Sequence, residues 1–425
     1  MDVTVGNTKH LAGVVSAPPS KAYTHRMLIA SLLSDGTSKI FNPLISDDTK
    51  ATLEAVKALG AKTELNENCW TVHGQQTLKT PDHPINCKES GSTLRFMIPV
   101  AALAPKSSLL LFDAPFKRRP IEPLLESLKQ VGVESSVQSD GSSVLVHGGG
   151  ICGGKTSIRG DVSSQFISGL LFACPKAKED TEISVTTPLE SRGYVEMTLE
   201  VLVEHGIEGS VNHDLSKLGI SANQAYTPCD HTVPGDFSSA AFLLASAAVT
   251  SSKVTVKNLD YTTCQGDKSI LGILQEMGAT VKVGDDSVML EGGELFGVDI
   301  DAKDIPDLVP VCAVLACYAS DRSEIYNAKR LRYKESDRLD SVSTELKKMG
   351  ADIIVNEDGL TINGGGQLRG TTINPHNDHR IAMACAVAAL GAKGETKIQD
   401  VECINKSYPQ FFSDLRALGA DVVGI

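Results

Sequence analysis

Six segments of the chain are apolar on nearly every face: 26–33, 94–104, 166–174, 240–249, 308–319 and 381–390. A helix without a polar stripe is a buried one, so each is predicted as a core helix. Between them run segments in which charged and apolar residues alternate at helical spacing. Each of these closes on a glycine: Leu-Gly-Ala at 59–61, Val-Gly-Val at 131–133, His-Gly-Ile at 205–207, Met-Gly-Ala at 277–279 and 349–351, and Leu-Gly-Ala at 418–420. Glycine just past an amphipathic pattern is the left-handed cap that other residues adopt only at a cost. These segments therefore read as solvent-facing helices. The β-branched stretches that follow, such as 280–283 and 352–355, read as strands.

The capping glycines are Gly60, Gly132, Gly206, Gly278, Gly350 and Gly419, which gives steps of 72, 74, 72, 72 and 69 residues. A two-part signal recurring six times at near-constant spacing is a repeat. The unit is one buried helix, strands, one exposed helix and more strands. Six units in 425 residues exceed a single core and divide into two domains of three units each. The expected division is 16–230 for the first domain and 1–15 plus 231–425 for the second.

Composition narrows the function. A formal charge of −12 argues against a nucleic-acid partner, which needs a net basic face. It leaves room for a local cationic cleft on an acidic body. The first residues carry neither a basic region nor an apolar run, and no apolar stretch reaches membrane-spanning length, so a cytoplasmic protein without a membrane partner is expected. Ten scattered cysteines with no paired C-x-x-C spacing read as reduced, buried thiols rather than disulfides or a metal site.

Polar motifs stand at the entrances to the buried helices, at 19–26, 89–95, 161–166, 235–240, 304–308 and 376–380. Ser, Thr, Asp and Asn at such places are ordinary N-caps. Helix N-termini also suit anions, and six of them, three per domain, are expected to converge on one cleft. The motifs carry more cations than caps require: Lys21, Arg26, Arg95, Lys117, Arg118, Arg119, Arg330, Arg332, Lys334, Arg338, Arg380 and Lys406. Such a cluster in Gly/Pro/Ser turns of an acidic chain points to a polyanionic small molecule.

The segments Ser-Gly-Ser-Thr-Leu-Arg (90–95), Arg-Arg-Pro-Ile (118–121), Ser-Ser-Gln-Phe (163–166), Lys-Glu-Ser-Asp-Arg (334–338), Asn-Asp-His-Arg (377–380) and Asn-Lys-Ser-Tyr-Pro (405–409), together with Lys21 and Arg26, occur in one order over almost the whole chain. This ordered set resembles that of the 5-enolpyruvylshikimate-3-phosphate synthases, a family of enolpyruvyl transferases. The resemblance implies an α/β fold: a two-domain inside-out α/β barrel, each domain three repeats of a βαβαββ-type unit. It implies transfer of an enolpyruvyl group from phosphoenolpyruvate to the 5-hydroxyl of shikimate-3-phosphate, in the pathway to chorismate and the aromatic amino acids. It also implies a monomer that needs no cofactor. By the same resemblance Lys21, Arg26, Ser163, Ser164, Gln165, Ser191, Tyr194, Asp307 and Lys334 hold shikimate-3-phosphate. Lys21, Gly91, Arg119, Gln165, Arg338, Arg380 and Lys406 hold phosphoenolpyruvate. Asp307, Glu335 and Lys21 form the proton-transfer set. The first domain would then be the shikimate-3-phosphate side, and the second would carry the acid/base groups.

Two positions depart from the family pattern: Ala22, where a serine donor is usual, and Arg330, where some members carry asparagine. Losing one neutral hydrogen bond at Ala22 costs about 0.5–1.5 kcal/mol. A UDP-N-acetylglucosamine enolpyruvyl transferase is the nearest rival, but its loop cysteine has no counterpart in the basic stretch 115–120. A non-catalytic anion-binding repeat protein remains a further alternative, with no need for Asp307 or Glu335. His376 and His379 lack a second ligand pair at metal-site spacing, so no metal is expected.

Overall fold

Twelve α-helices occur among the described residues, and they alternate in character along the chain. The computed structural model describes residues 1–424, and the side chains of Pro115 and Arg118 also lie outside the described residues. The helices come in six pairs: α1 (Lys21–Leu33) and α2 (Asp47–Ala58), α3 (Gly91–Ala101) and α4 (Glu122–Gln130), α5 (Ser164–Ala173) and α6 (Arg192–Glu204), α7 (Phe237–Val249) and α8 (Ile270–Glu276), α9 (Val309–Tyr318) and α10 (Arg338–Lys348), α11 (His379–Gly391) and α12 (Phe411–Ala417). The first of each pair is buried almost end to end, as its all-round apolar sequence requires. The second buries one face and shows the other to water.

Local chemistry fixes where these helices start and stop. Ser20, Ser90, Ser163, Asp236 and Asp378 each accept a backbone N–H from the first turn of the helix they precede. Past the exposed helices the six capping glycines have φ between +75° and +113°, a region a β-carbon makes costly.

Strands pair into six four-stranded sheets among the described residues. The sheet with strands Ile85–Asn86, Ser108–Leu111, Ser143–Val146 and Ser135–Val137 shows the common plan: one parallel pair, then two antiparallel neighbours. Three sheets take a strand from far away in sequence. His231–Thr232 joins Gly36–Phe41 in parallel, with His231 opposite Ile40. Ala12–Ser16 joins Lys253–Lys257 in parallel, and Val3–Val5 lies between Thr396–Ile398 and Val422–Val423.

These exchanges close two units, residues 19–233 and residues 1–18 with 234–425. In the two-segment unit α7, α9 and α11 pack on one another, with the sheets outside them. In the 19–233 unit α3 packs on α5, and α6 packs on both α5 and α1. The expectation of buried thiols holds for Cys87, Cys174, Cys312, Cys317, Cys385 and Cys403. It fails for Cys152, which is exposed, and for the half-buried Cys69, Cys229 and Cys264. Cys152 lies in a loop outside the helices and strands, where no core encloses a side chain.

Candidate active site

In the 19–233 unit Lys21, Gly91, Ser163, Ser164 and Gln165 sit where buried helices begin. Lys21 opens α1, and its ammonium pairs with Asp48 Oδ2 at 2.9 Å, in the first turn of α2. Thr93 of α3 bonds the Asp48 carbonyl at 3.4 Å, so the start of α3 is tied to the same place. Gly91, the first residue of α3, is closely approached by its neighbours. A β-carbon there would lie 2.7 Å from Arg119 Nη1 and 3.0 Å from the Phe116 ring. Arg119 itself lies over that ring, 5.1 Å from its centroid, and is largely buried.

Gln165 is held from both ends. Its carbonyl oxygen accepts from Arg95 Nη1 at 2.8 Å, and its amide donates to Ser92 Oγ at 2.8 Å. Arg95 is itself packed over the rings of Phe116 and Phe166. Ser163 caps α5 by accepting from the Gln165 N–H, and Ser164 follows it, buried. Ser191 precedes α6 with φ of +56°, a left-handed serine of the kind that clusters at functional sites. Arg26 is committed to the interior. Its guanidinium donates to Thr198 Oγ1, the Ala22 carbonyl and the Tyr194 carbonyl at 2.7–2.8 Å and lies over the rings of Phe96 and Tyr194. It thereby fixes α1 against α6 and sets the Tyr194 backbone.

The two-segment unit gathers charge around Asp307, which sits on the one-turn 3-10 helix Pro306–Leu308 leading into α9. Its Oδ1 accepts from Arg338 Nη1 at 2.7 Å and its Oδ2 from Arg380 Nη2 at 3.2 Å; Lys334 Nζ is 4.0 Å away. Arg338 is 1% exposed in its side chain and also donates to Glu335 Oε2 at 2.6 Å and Asp378 Oδ2 at 2.8 Å. Asp378 caps α11 through the Arg380 N–H as well. Lys406 donates to the Asn377 carbonyl at 2.7 Å. Arg330 is turned onto the carbonyl of Lys303.

Electrostatics follow from this packing. Burial raises the Asp307 carboxyl, but Arg380, Lys334 and Arg338 outweigh it and hold the group well below the usual carboxylate range. Arg338 is held charged by Asp378, Glu335 and Asp307 against its own burial. Lys334 is pushed down to about 8, chiefly by burial, with Arg330 and Arg338 adding to the shift. The cluster thus combines fixed cations, which bind anions, with carboxylates beside them and a lysine shifted to about 8.

A model of the EPSP synthase family (3-phosphoshikimate 1-carboxyvinyltransferase) matches residues 5–415. The chain belongs to this family. Relatives named 3-phosphoshikimate 1-carboxyvinyltransferase include one from Methanocaldococcus jannaschii, 44% identical with 98% of each chain covered. Another, from Methanocella arvoryzae, is 45% identical, with 96% of this chain and 97% of the relative covered. An EPSP synthase structure from Acinetobacter baumannii superposes over the full length of both chains with a TM-score of 0.83 at 25% identity. Side chains to which the resemblance assigned no part in the site, and which the structure ties to it, are Asp48, Arg95, Phe116, Asp378 and Asp267. Asp378 stood inside the Asn-Asp-His-Arg motif and Arg95 inside Ser-Gly-Ser-Thr-Leu-Arg; Asp267 carried no signal beyond a Gln-Gly-Asp turn.

Proposed function

We propose that this chain transfers the enolpyruvyl group of phosphoenolpyruvate to the 5-hydroxyl of shikimate-3-phosphate, releasing phosphate. The observation that carries the proposal is the set of three cations around Asp307, in a chain of this family: Arg338, Arg380 and Lys334. Anion binding and proton exchange are then available at the same atoms.

The chemistry balances in two steps. The 5-hydroxyl oxygen bonds to C2 of phosphoenolpyruvate and loses its proton, while C3 gains one, giving a tetrahedral adduct. Phosphate then leaves from C2 as C3 gives up a proton, restoring the vinyl group. Asp307, Glu335 and Lys21 form the proton-transfer set. Arg338, Arg380, Arg119, Gln165, Lys21 and Lys406 hold phosphoenolpyruvate and stabilise the departing phosphate, with the Gly91 backbone against it. Ser163, Ser164, Gln165, Ser191, Tyr194, Lys334, Asp307, Arg26 and Lys21 hold shikimate-3-phosphate. Arg26 contributes chiefly by fixing Tyr194, since three of its donors are engaged inside the unit. The protein works as a cytoplasmic monomer.

Product identity tests the proposal. Proton NMR of a mixture with both substrates should develop new vinyl signals on the shikimate ring. Hydrolysis of phosphoenolpyruvate to pyruvate, with the acceptor unchanged, would contradict it.

A further inference from the structure

Asp267 is a buried carboxylate that the reaction as described does not use. It lies on the 3-10 turn Gly266–Ser269 and is 2% exposed. Its Oδ2 accepts a hydrogen bond from Ser238 Oγ, and its Oδ1 has no hydrogen-bond partner among the described residues. A buried carboxylate oxygen without a donor is costly to keep charged. The turn is nonetheless clamped in place: Gln265 accepts from the Phe237 N–H at 3.0 Å and donates to the Gly235 carbonyl at 2.8 Å.

Ser238 connects this carboxyl to the candidate site. Its side chain donates to Asp267, while its backbone carbonyl accepts from Arg380 Nη1 at 3.3 Å. The other end of that guanidinium holds Asp307 Oδ2 at 3.2 Å. Asp267, Ser238, Arg380 and Asp307 thus form one chain of contacts inside a single unit.

We infer that Asp267 is a positioning residue that seats Arg380 through Ser238, and that it takes up a proton from solvent when an anionic substrate occupies Arg380. The inference rests on the function proposed above. The groups facing Asp267 are Asp236 and Ser238 at the start of α7, Asp307, Arg380 of α11 and Cys312 of α9. Lys268, on its own turn, points away to the carbonyls of Tyr261 and Thr263. Burial, then Asp307, push the Asp267 carboxyl up to about 7, with Arg380 and Ser238 opposing. A bound phosphate or carboxylate would offset the Arg380 field and leave Asp307 and Asp236 to dominate, so the bound state favours the protonated acid.

The sign follows from linkage. A group that is more easily protonated in the complex makes binding strongest below its free value and weaker as pH rises through it. In the intact protein kcat/KM for phosphoenolpyruvate should therefore fall above pH of about 7, by at most about tenfold per pH unit for one proton. Asp267→Asn, neutral at every pH, should flatten that limb, and comparison of the two cancels the ionisation of the ligand itself. Ser238→Ala removes a donor that favours the charged form, so its limb should move to higher pH. Calorimetry of phosphoenolpyruvate binding to the shikimate-3-phosphate complex, in two buffers of different ionisation enthalpy, gives a second readout. Proton uptake should be smaller in Asp267→Asn than in the intact protein. Identical profiles and equal uptake would overturn the inference. Absence of turnover in the intact protein would instead overturn the proposed function.

Discussion

Arg338 donates from Nη1 to Asp307 Oδ1 at 2.7 Å, which ties a carboxylate proposed to exchange protons to a guanidinium proposed to hold phosphoenolpyruvate. With Arg380 on its other oxygen, Asp307 is anchored at both atoms and stays ionised. Asp307→Asn keeps the shape but removes the charge. We expect kcat to fall by about 10²–10⁴ for this variant and for Glu335→Gln, the range for losing a positioned acid or base. Circular dichroism should show the fold retained. A near-normal rate in either variant would remove that residue from the proton-transfer set.

Asp378 is fully buried and accepts from Arg338 Nε, Ser336 Oγ and the Arg380 N–H. Its removal strips one counter-charge from a buried guanidinium. Asp378→Ala should destabilise the fold by about 3–5 kcal/mol, the usual cost of breaking a buried pair from one side. Urea unfolding measures this; a loss under about 1 kcal/mol would place Asp378 among exposed pairs.

At Gly91 the obstacle to a side chain is the Arg119 guanidinium, 2.7 Å from a β-carbon. That atom ends a flexible side chain, so Gly91→Ala should fold normally and displace Arg119. The expected effect is a rise in KM for phosphoenolpyruvate of about ten- to a hundredfold, the worth of a hydrogen bond to a charged group. The KM for shikimate-3-phosphate should change much less. An unaltered KM for phosphoenolpyruvate would separate Arg119 from that substrate.

Lys334 loses its proton at about 8 in the free protein, because burial disfavours the ammonium. If that ammonium holds shikimate-3-phosphate, kcat/KM for this substrate is full below pH of about 8 and declines above it. Lys334→Arg, charged throughout, should carry the plateau to higher pH. A wild-type profile flat to pH 9.5 would contradict the assignment.

Much of the scaffold was legible because it is written locally. All six glycines read as left-handed caps have positive φ, and all six all-apolar segments are buried helices. What was not legible depends on partners distant in sequence. Nothing near Val3–Val5 or His231–Thr232 tells which sheet each strand completes, since the pairing is to Thr396–Ile398 and Gly36–Phe41. His205 occupies a cap position where other repeats have Leu, Val or Met. It is accommodated there by the Thr227 carbonyl, Ser34 and His231, all of them outside the helix it caps. At the candidate site the motifs located Asp307, Glu335, Arg338 and Arg380, but not the contacts among them. Arg26 resembled its neighbours as a cation in sequence, whereas packing against Phe96 and α6 turns its donors inward.

The central claim is enolpyruvyl transfer to shikimate-3-phosphate, and phosphate release tests it most directly. Phosphate freed from phosphoenolpyruvate is measured with shikimate-3-phosphate and, in parallel, with UDP-N-acetylglucosamine as acceptor. Release that depends on shikimate-3-phosphate and is absent with the nucleotide sugar is the predicted result. Release with UDP-N-acetylglucosamine alone, or with neither acceptor, would contradict the account.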